Sequence, residues 1–249
     1  MNIEICDTKR KLGETAALQA AEEIKKNIQE KDNAHIILAT GASQFETLKT
    51  LCDVPDIDWS KVVMFHLDEY VGLPASHKAS FRRYLQERFV NTVPDIKEVH
   101  FINADVADPN EECKRLSKII SNHPIDVALV GIGENGHLAF NDPPADFNTE
   151  TPYIIVELDE ACRMQQVGEG WFKNIDEVPQ SAITMSIKKI IESDVIICSV
   201  PGEKKSDAVK NCMEGEISNM HPASILQNHP RCTVYLDPDS SSRLTQTHS

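Results

Sequence analysis

Apolar residues along this chain recur with two different periods, and the two alternate. Helical spacing runs through Thr15–Glu30, Phe45–Cys52, Glu111–Ser121 and Glu203–Met213. Between and around these segments lie short apolar runs at His35–Thr40, Lys61–Leu67, Asp126–Val130, Ala182–Ser186, Asp194–Val200 and Cys232–Leu236, which read as strands. Strands alternating with helices predict an α/β fold, a mostly parallel sheet covered by helices on both faces. No linker or internal repeat divides the 249 residues, so one domain spanning 1–249 is expected. Gln166–Asp176, with Gly168, Gly170 and Trp171, reads as an irregular or mobile excursion, and the tail 239–249 reads as flexible from its composition.

Charge narrows the partners. A formal net charge of −14 and an isoelectric point near 5.0 argue against a nucleic-acid or anionic-membrane surface, so an anionic small molecule would need a local cationic pocket. No run approaches the roughly 18 apolar residues of a membrane helix, and the first residues lack the apolar core of a secretory signal, which makes the cytoplasm the expected location. Cys6, Cys52, Cys113, Cys162, Cys198, Cys212 and Cys232 are scattered and odd in number, as reduced thiols would be. Neither CxxC nor HExxH occurs, so no metal is expected. An acidic α/β chain of this size is compatible with a monomer or with a homo-oligomer.

Candidate chemistry sits where predicted strands end, which is where open α/β sheets bind ligands. Val127–Pro144 runs from an apolar strand into Gly131, Gly133 and Gly136, then presents His137 between Asn135 and Asp142. Glycines let backbone approach a ligand closely, and histidine moves protons near neutral pH; the plain alternative is a turn holding a structural histidine. After the first strand come Thr40, Gly41, Ala42 and Ser43, small and hydroxylated residues leading into a helix, either an anion cradle or a simple cap. The GxxxxGK[ST] spacing of a nucleotide-binding loop is absent. After the second strand stand Asp68, Glu69 and Tyr70, and after the strand at 194–200 comes Lys205, which would add charge to the same anion or lie on the surface as lysines usually do. Four loaded loops at one sheet edge favour an enzyme acting on a small phosphorylated molecule.

These residues also carry a resemblance. The segment Leu67–Leu73 (LDEYVGL), the segment Gly131–Pro143 (GIGENGHLAFNDP), the Thr40–Ser43 loop and the stretch Val178–Thr184 together resemble glucosamine-6-phosphate deaminases over roughly residues 34 to 238. The 6-phosphogluconolactonases are similar too, but DEYVGL and GHLAFND favour the deaminase branch. The resemblance implies a Rossmann-like sheet with a lid segment at about 148–176. It implies conversion of glucosamine 6-phosphate and water into fructose 6-phosphate and ammonia, with no metal or redox cofactor. By the same resemblance Asp68 is the base at C2, His137 opens the sugar ring with Asn135 and Asp142 assisting, and Thr40–Ser43 with Lys205 hold the phosphate of a small phosphorylated amino sugar.

Three departures fall inside the implied pocket. Asn135 stands where some members have aspartate, Asp142 where glutamate is usual, and Gly170 where an arginine commonly precedes the aromatic pair, here Trp171 and Phe172. Arg163 is the candidate replacement for that phosphate contact. A phosphorylated-lactone hydrolase, with His137 activating water, and a non-catalytic sugar-phosphate sensor remain as alternatives at this stage.

Overall fold

The computed structural model describes residues 1–245. Its strands are β1 (Asn2–Ile5), β2 (Ala34–Leu38), β3 (Val62–His66), β4 (Asp68–Tyr70), β5 (Glu98–His100), β6 (Val127–Val130), β7 (Tyr153–Glu157), β8 (Ser181–Met185), β9 (Val195–Val200) and β10 (Cys232–Leu236). Its helices are α1 (Lys9–Lys31), α2 (Phe45–Asp53), α3 (Phe81–Leu85), α4 (Pro109–Ile120), α5 (Glu160–Gly168), α6 (Ile187–Ile191) and α7 (Ser206–Met213). A seven-stranded sheet has the order β1-β10-β9-β6-β2-β3-β5, and every pairing in it is parallel.

Successive side chains of its central strands point to opposite faces, and both faces are covered. Ile36, Leu38, Met64, Leu129 and Ile197 pack beneath α1, α2 and α3, whereas Ile37, Phe65, Ala128, Val130 and Cys198 pack against α4, α6 and α7. That double burial is why these strands are largely apolar. In α1 the buried face is built largely of small residues, Ala16, Ala17, Ala20 and Ala21, so the helix lies close to its neighbours. Thr8 caps its start by accepting from the Lys11 amide at 3.1 Å.

Every strand and helix read from the apolar pattern has a counterpart, most with shifted ends. The strand at 181–185 belongs elsewhere, however: β4, β8 and β7 form a separate antiparallel sheet whose register pairs Asp68 with Thr184 and Ile154 with Thr184. Strands β1, β4, β5 and β7 and helices α3, α5 and α6 escaped the reading; β1 and β5 are short edge strands with exposed polar residues. The excursion at 166–176 is also more regular than its glycines suggest, since α5 continues to Gly168 and a short turn follows at Ile175–Glu177. Nor is the start of the tail loose. Asp237 accepts the amides of Gly202 and Ser240, Leu244 packs on the core, and Thr245 donates to Glu214. Residues 239–245 of the tail thus carry defined contacts, and 246–249 lie outside the described residues. Among the described residues no helix is long and apolar enough to cross a membrane.

Helices α1 and α2 touch at Gly13, where an added Cβ would stand 2.4 Å from Glu46 Cβ and 2.9 Å from the Glu46 carbonyl carbon and Thr47 amide nitrogen. Alanine gains at most about 1 kcal/mol of helix propensity over glycine, while overpacking of this kind costs about 1–3 kcal/mol. Gly13→Ala should therefore lower the urea midpoint without changing the m value. An unchanged or raised midpoint would show that the contact relaxes freely.

Candidate active site

Three adjacent parallel strands, β9, β6 and β2, end at one edge of the large sheet and release three loops there. Two of the loops are built alike. After β2 the chain passes Gly41 at φ 91° into a short turn at Ala42–Gln44 and then α2; after β9 it passes Gly202 at φ 97° into a short turn at Glu203–Lys205 and then α7. The positive φ favours glycine at both bends. Tyr84 fixes the first by donating to the Gly41 carbonyl at 3.0 Å, and Asp237 fixes the second through the Gly202 amide.

The middle loop, after β6, carries the histidine. Gly136 turns at φ 86°, the Gly133 amide donates to the His137 carbonyl at 3.0 Å, and the His137 amide donates to Asn135 Oδ1 at 3.1 Å. A Cβ at position 133 would lie 2.1–2.3 Å from the His137 ring, so the imidazole occupies the space that any side chain there would need. Buried Gln44 ties this loop's base to the first loop by donating to the Val130 carbonyl at 3.1 Å.

These loops enclose a cavity of about 290 Å³, near the lower end for small-molecule sites. Thr40, Gly41, Ala42, Ser43, Asp68, His137 and Lys205 all line it, so residues from four separate stretches of sequence meet. Asn135 and Asp142 do not line it but stand behind the histidine. Asp142 Oδ1 lies 3.2 Å from His137 Nδ1, although Nδ1 has no aligned hydrogen bond among the described residues. Asn135 Nδ2 donates both to Asp142 Oδ1 at 3.1 Å and to Asp159 Oδ2 at 3.0 Å, and the Asp159 amide donates to Asp142 Oδ2.

The two departures in this loop have a common physical account. Asn135 is a neutral donor bridging two carboxylates, where an aspartate would add a third negative group without a proton to share. Asp142, despite its shorter side chain, reaches hydrogen-bond distance of the ring. Burial pushes the Asp142 carboxyl up, but His137, Asn135 and the Asp159 amide together outweigh it and hold its pKa below the ordinary value.

Asp68 and Glu69 have different environments, because consecutive residues of β4 face opposite ways. Asp68 faces the cavity. Glu69 turns away and accepts from the amides of Tyr70, Phe81 and Arg82 and from the Ser80 hydroxyl, anchoring the start of α3. Burial first, and the Glu69 charge second, push Asp68 up to about 8. Burial also pushes Glu69 up, against four donors that favour its charged form. Burial lowers the Lys205 pKa, with Glu169 and Glu134 opposing that shift.

Arg163 is not at the cavity. Its guanidinium donates to the carbonyls of Ile175 at 2.7 Å and Val178 at 3.0 Å, binding α5 to the turn that follows it and holding it apart from the place anticipated for a phosphate contact. Lys9 and Lys204 line the cavity instead. Sequence reading missed these lysines, Asp159, and the lining residues Gln165 and Glu169. Asp159 has a local signal as the N-cap of α5, bonding the Cys162 amide, but nothing in the sequence joins it to Asn135.

The family model described as glucosamine-6-phosphate isomerases/6-phosphogluconolactonase matches residues 7–235. Glucosamine-6-phosphate deaminases of Bacillus cereus and Bacillus thuringiensis are each 37% identical over 242 residues, covering 97% of this chain and 88% of theirs. A monomeric glucosamine-6-phosphate deaminase superposes with a TM-score of 0.88 at 32% identity, covering 97% of this chain and 99% of that one. The 6-phosphogluconolactonase of Trypanosoma brucei, with a TM-score of 0.80, 16% identity and 98% of both chains covered, shares the fold. The chain belongs to the glucosamine-6-phosphate isomerase/6-phosphogluconolactonase family.

Proposed function

We propose that this protein is a glucosamine-6-phosphate deaminase, converting glucosamine 6-phosphate and water into fructose 6-phosphate and ammonia in the cytoplasm. The observation that carries the reading is a buried carboxylate, Asp68, lining the same cavity as a carboxylate-backed histidine, His137, and the two glycine-bent turns. The full-length deaminase relatives support the substrate.

Backbone amides of Thr40–Ser43 and the Lys205 ammonium hold the phosphate, and phosphate in turn compensates the burial of that lysine. His137 moves a proton between the anomeric hydroxyl and the ring oxygen, with Asp142 orienting the ring. In the open-chain sugar Asp68 takes the C2 proton, giving an enolamine. Return of a proton to C1 leaves an imine at C2, and water adds there to release ammonia and the ketone. Desolvation makes Asp68 a stronger base than a carboxylate in water. The lid is the segment 148–176, which contributes Gln165, Gln166 and Glu169 to the cavity wall.

Purified protein should form ammonia and fructose 6-phosphate in equal amounts, and Asp68→Asn and His137→Gln should each lower kcat by about 10²–10⁴-fold. Acid formation from a phosphorylated lactone without ammonia would replace this reading, as would stabilisation by sugar phosphates without turnover. Lys205→Ala should raise KM about tenfold or more with a smaller effect on kcat, since a charge-assisted hydrogen bond contributes about 1.5–3 kcal/mol. An unchanged KM would remove Lys205 from the phosphate site.

Asp68 also links pH to activity and stability. The base must be ionised, so kcat/KM should rise with pH on an acid limb that ends near 8. The folded pKa lies above the ordinary 3.8, so the stabilising contribution of the protonated form is complete at low pH and is lost as pH rises through about 8. Asp68→Asn should therefore have a higher Tm than the parent above pH 8, with the gap closing on acidification. A gap of the opposite sign would show that the carboxylate is stabilised in the fold.

A further inference from the structure

The proton-relay reading leaves one neighbour of His137 without a task. Cys162, 1% exposed, is the third residue of α5. Its Sγ, a carboxylate oxygen of Asp142 and a ring nitrogen of His137 all lie within 4.8 Å of one another. Zinc–nitrogen and zinc–oxygen bonds of about 2.0–2.2 Å at a tetrahedral angle place neighbouring ligand atoms roughly 3.3 Å apart. The 3.2 Å between His137 Nδ1 and Asp142 Oδ1 is thus already the edge of such a tetrahedron.

The remaining features fit the same use. His137 Nδ1 is a buried atom with no aligned hydrogen-bond partner among the described residues. Asp142 is oriented from behind by Asn135 Nδ2 on one oxygen and the Asp159 amide on the other, the kind of outer contact that fixes metal ligands. Thiolate, imidazole and carboxylate form a zinc-class donor set, softer than the all-oxygen sets that suit magnesium or calcium. Asp159, bonded to Asn135, adds negative charge beside the ligands.

We propose that His137, Asp142 and Cys162 bind a zinc-class divalent cation, with water as the fourth ligand, and that this ion inhibits the enzyme. On binding, the thiol gives its proton to solvent, and the ring proton moves from Nδ1 to Nε2 as Nδ1 gives its lone pair to the metal. With both nitrogens occupied and a cation on one of them, the imidazole can no longer accept a proton from the sugar. The inhibition rests on the deaminase reading, whereas the binding does not.

The decisive variant is Cys162→Ala, with Cys162→Ser as a second in case alanine destabilises the fold. Cobalt(II) added to the wild-type protein should give a near-ultraviolet thiolate-to-cobalt charge-transfer band that zinc abolishes and that both variants lack. Zinc should inhibit wild-type ammonia release reversibly, with activity restored by EDTA. Either folded variant should keep its turnover and require at least about tenfold more zinc for the same inhibition. Absence of the band, or variants as zinc-sensitive as the parent, would overturn the proposal. If no amino-sugar phosphate is turned over at all, the cobalt band still decides the site, and the failure belongs to the deaminase reading.

Discussion

The arrangement of this protein depends on one steric condition: the His137 ring fills the volume that a side chain at position 133 would take. With glycine there, the backbone of 131–136 wraps around the imidazole and the Gly133 amide closes on the His137 carbonyl. The ring is then held by backbone, and its Nδ1 edge is directed at Asp142. Larger residues at 133 would push the ring away from that carboxylate or open the loop. Because β6 lies between β9 and β2, the placement of this loop also sets how the glycine-bent turns on either side approach a ligand. A catalytic geometry is therefore inherited from strand order.

A second condition is electrostatic. The chain brings Asp68, Glu69, Asp142 and Asp159 near one cavity, and carboxylates gathered in a poorly solvated region oppose ionisation. The fold manages them by different means. Glu69 is given four donors. Asp142 and Asp159 share the amide of Asn135, and Asp142 also faces the histidine. Asp68 receives no comparable set, and its raised pKa is the consequence. The least compensated carboxylate is the one that faces the cavity, where a base strong enough for carbon acid chemistry is useful.

The small antiparallel sheet makes this separation achievable. Asp68 follows β3 almost immediately, but β4 leaves the parallel sheet to pair with β8, and β7 completes the layer. A strand rather than a loop at 68–70 sends adjacent acids in opposite directions. The aromatic cluster of Tyr70, Phe81, Phe140 and Phe172 then packs this layer against α3 and the segment after α5. Arg163 ties that segment to itself through two carbonyls and takes no part in the cavity wall.

Apolar periodicity by itself determined the central strands and four of the helices that cover them, α1, α2, α4 and α7, because strands buried on both faces are apolar at most positions. Glycines, a histidine and acids placed just after strand ends were legible for a similar reason: an open parallel sheet has one functional edge. The edge strands β1 and β5 left no such trace, since half-exposed residues need no apolar pattern. Only the tertiary structure decided the rest. That Asn135 bridges Asp142 to Asp159, that Glu69 is structural while Asp68 faces the cavity, that Lys9 from α1 reaches the site, and that Cys162 lies beside His137 all depend on contacts between segments far apart in the chain. Side-chain polarity announces that a partner is needed, but the choice of partner is made by packing.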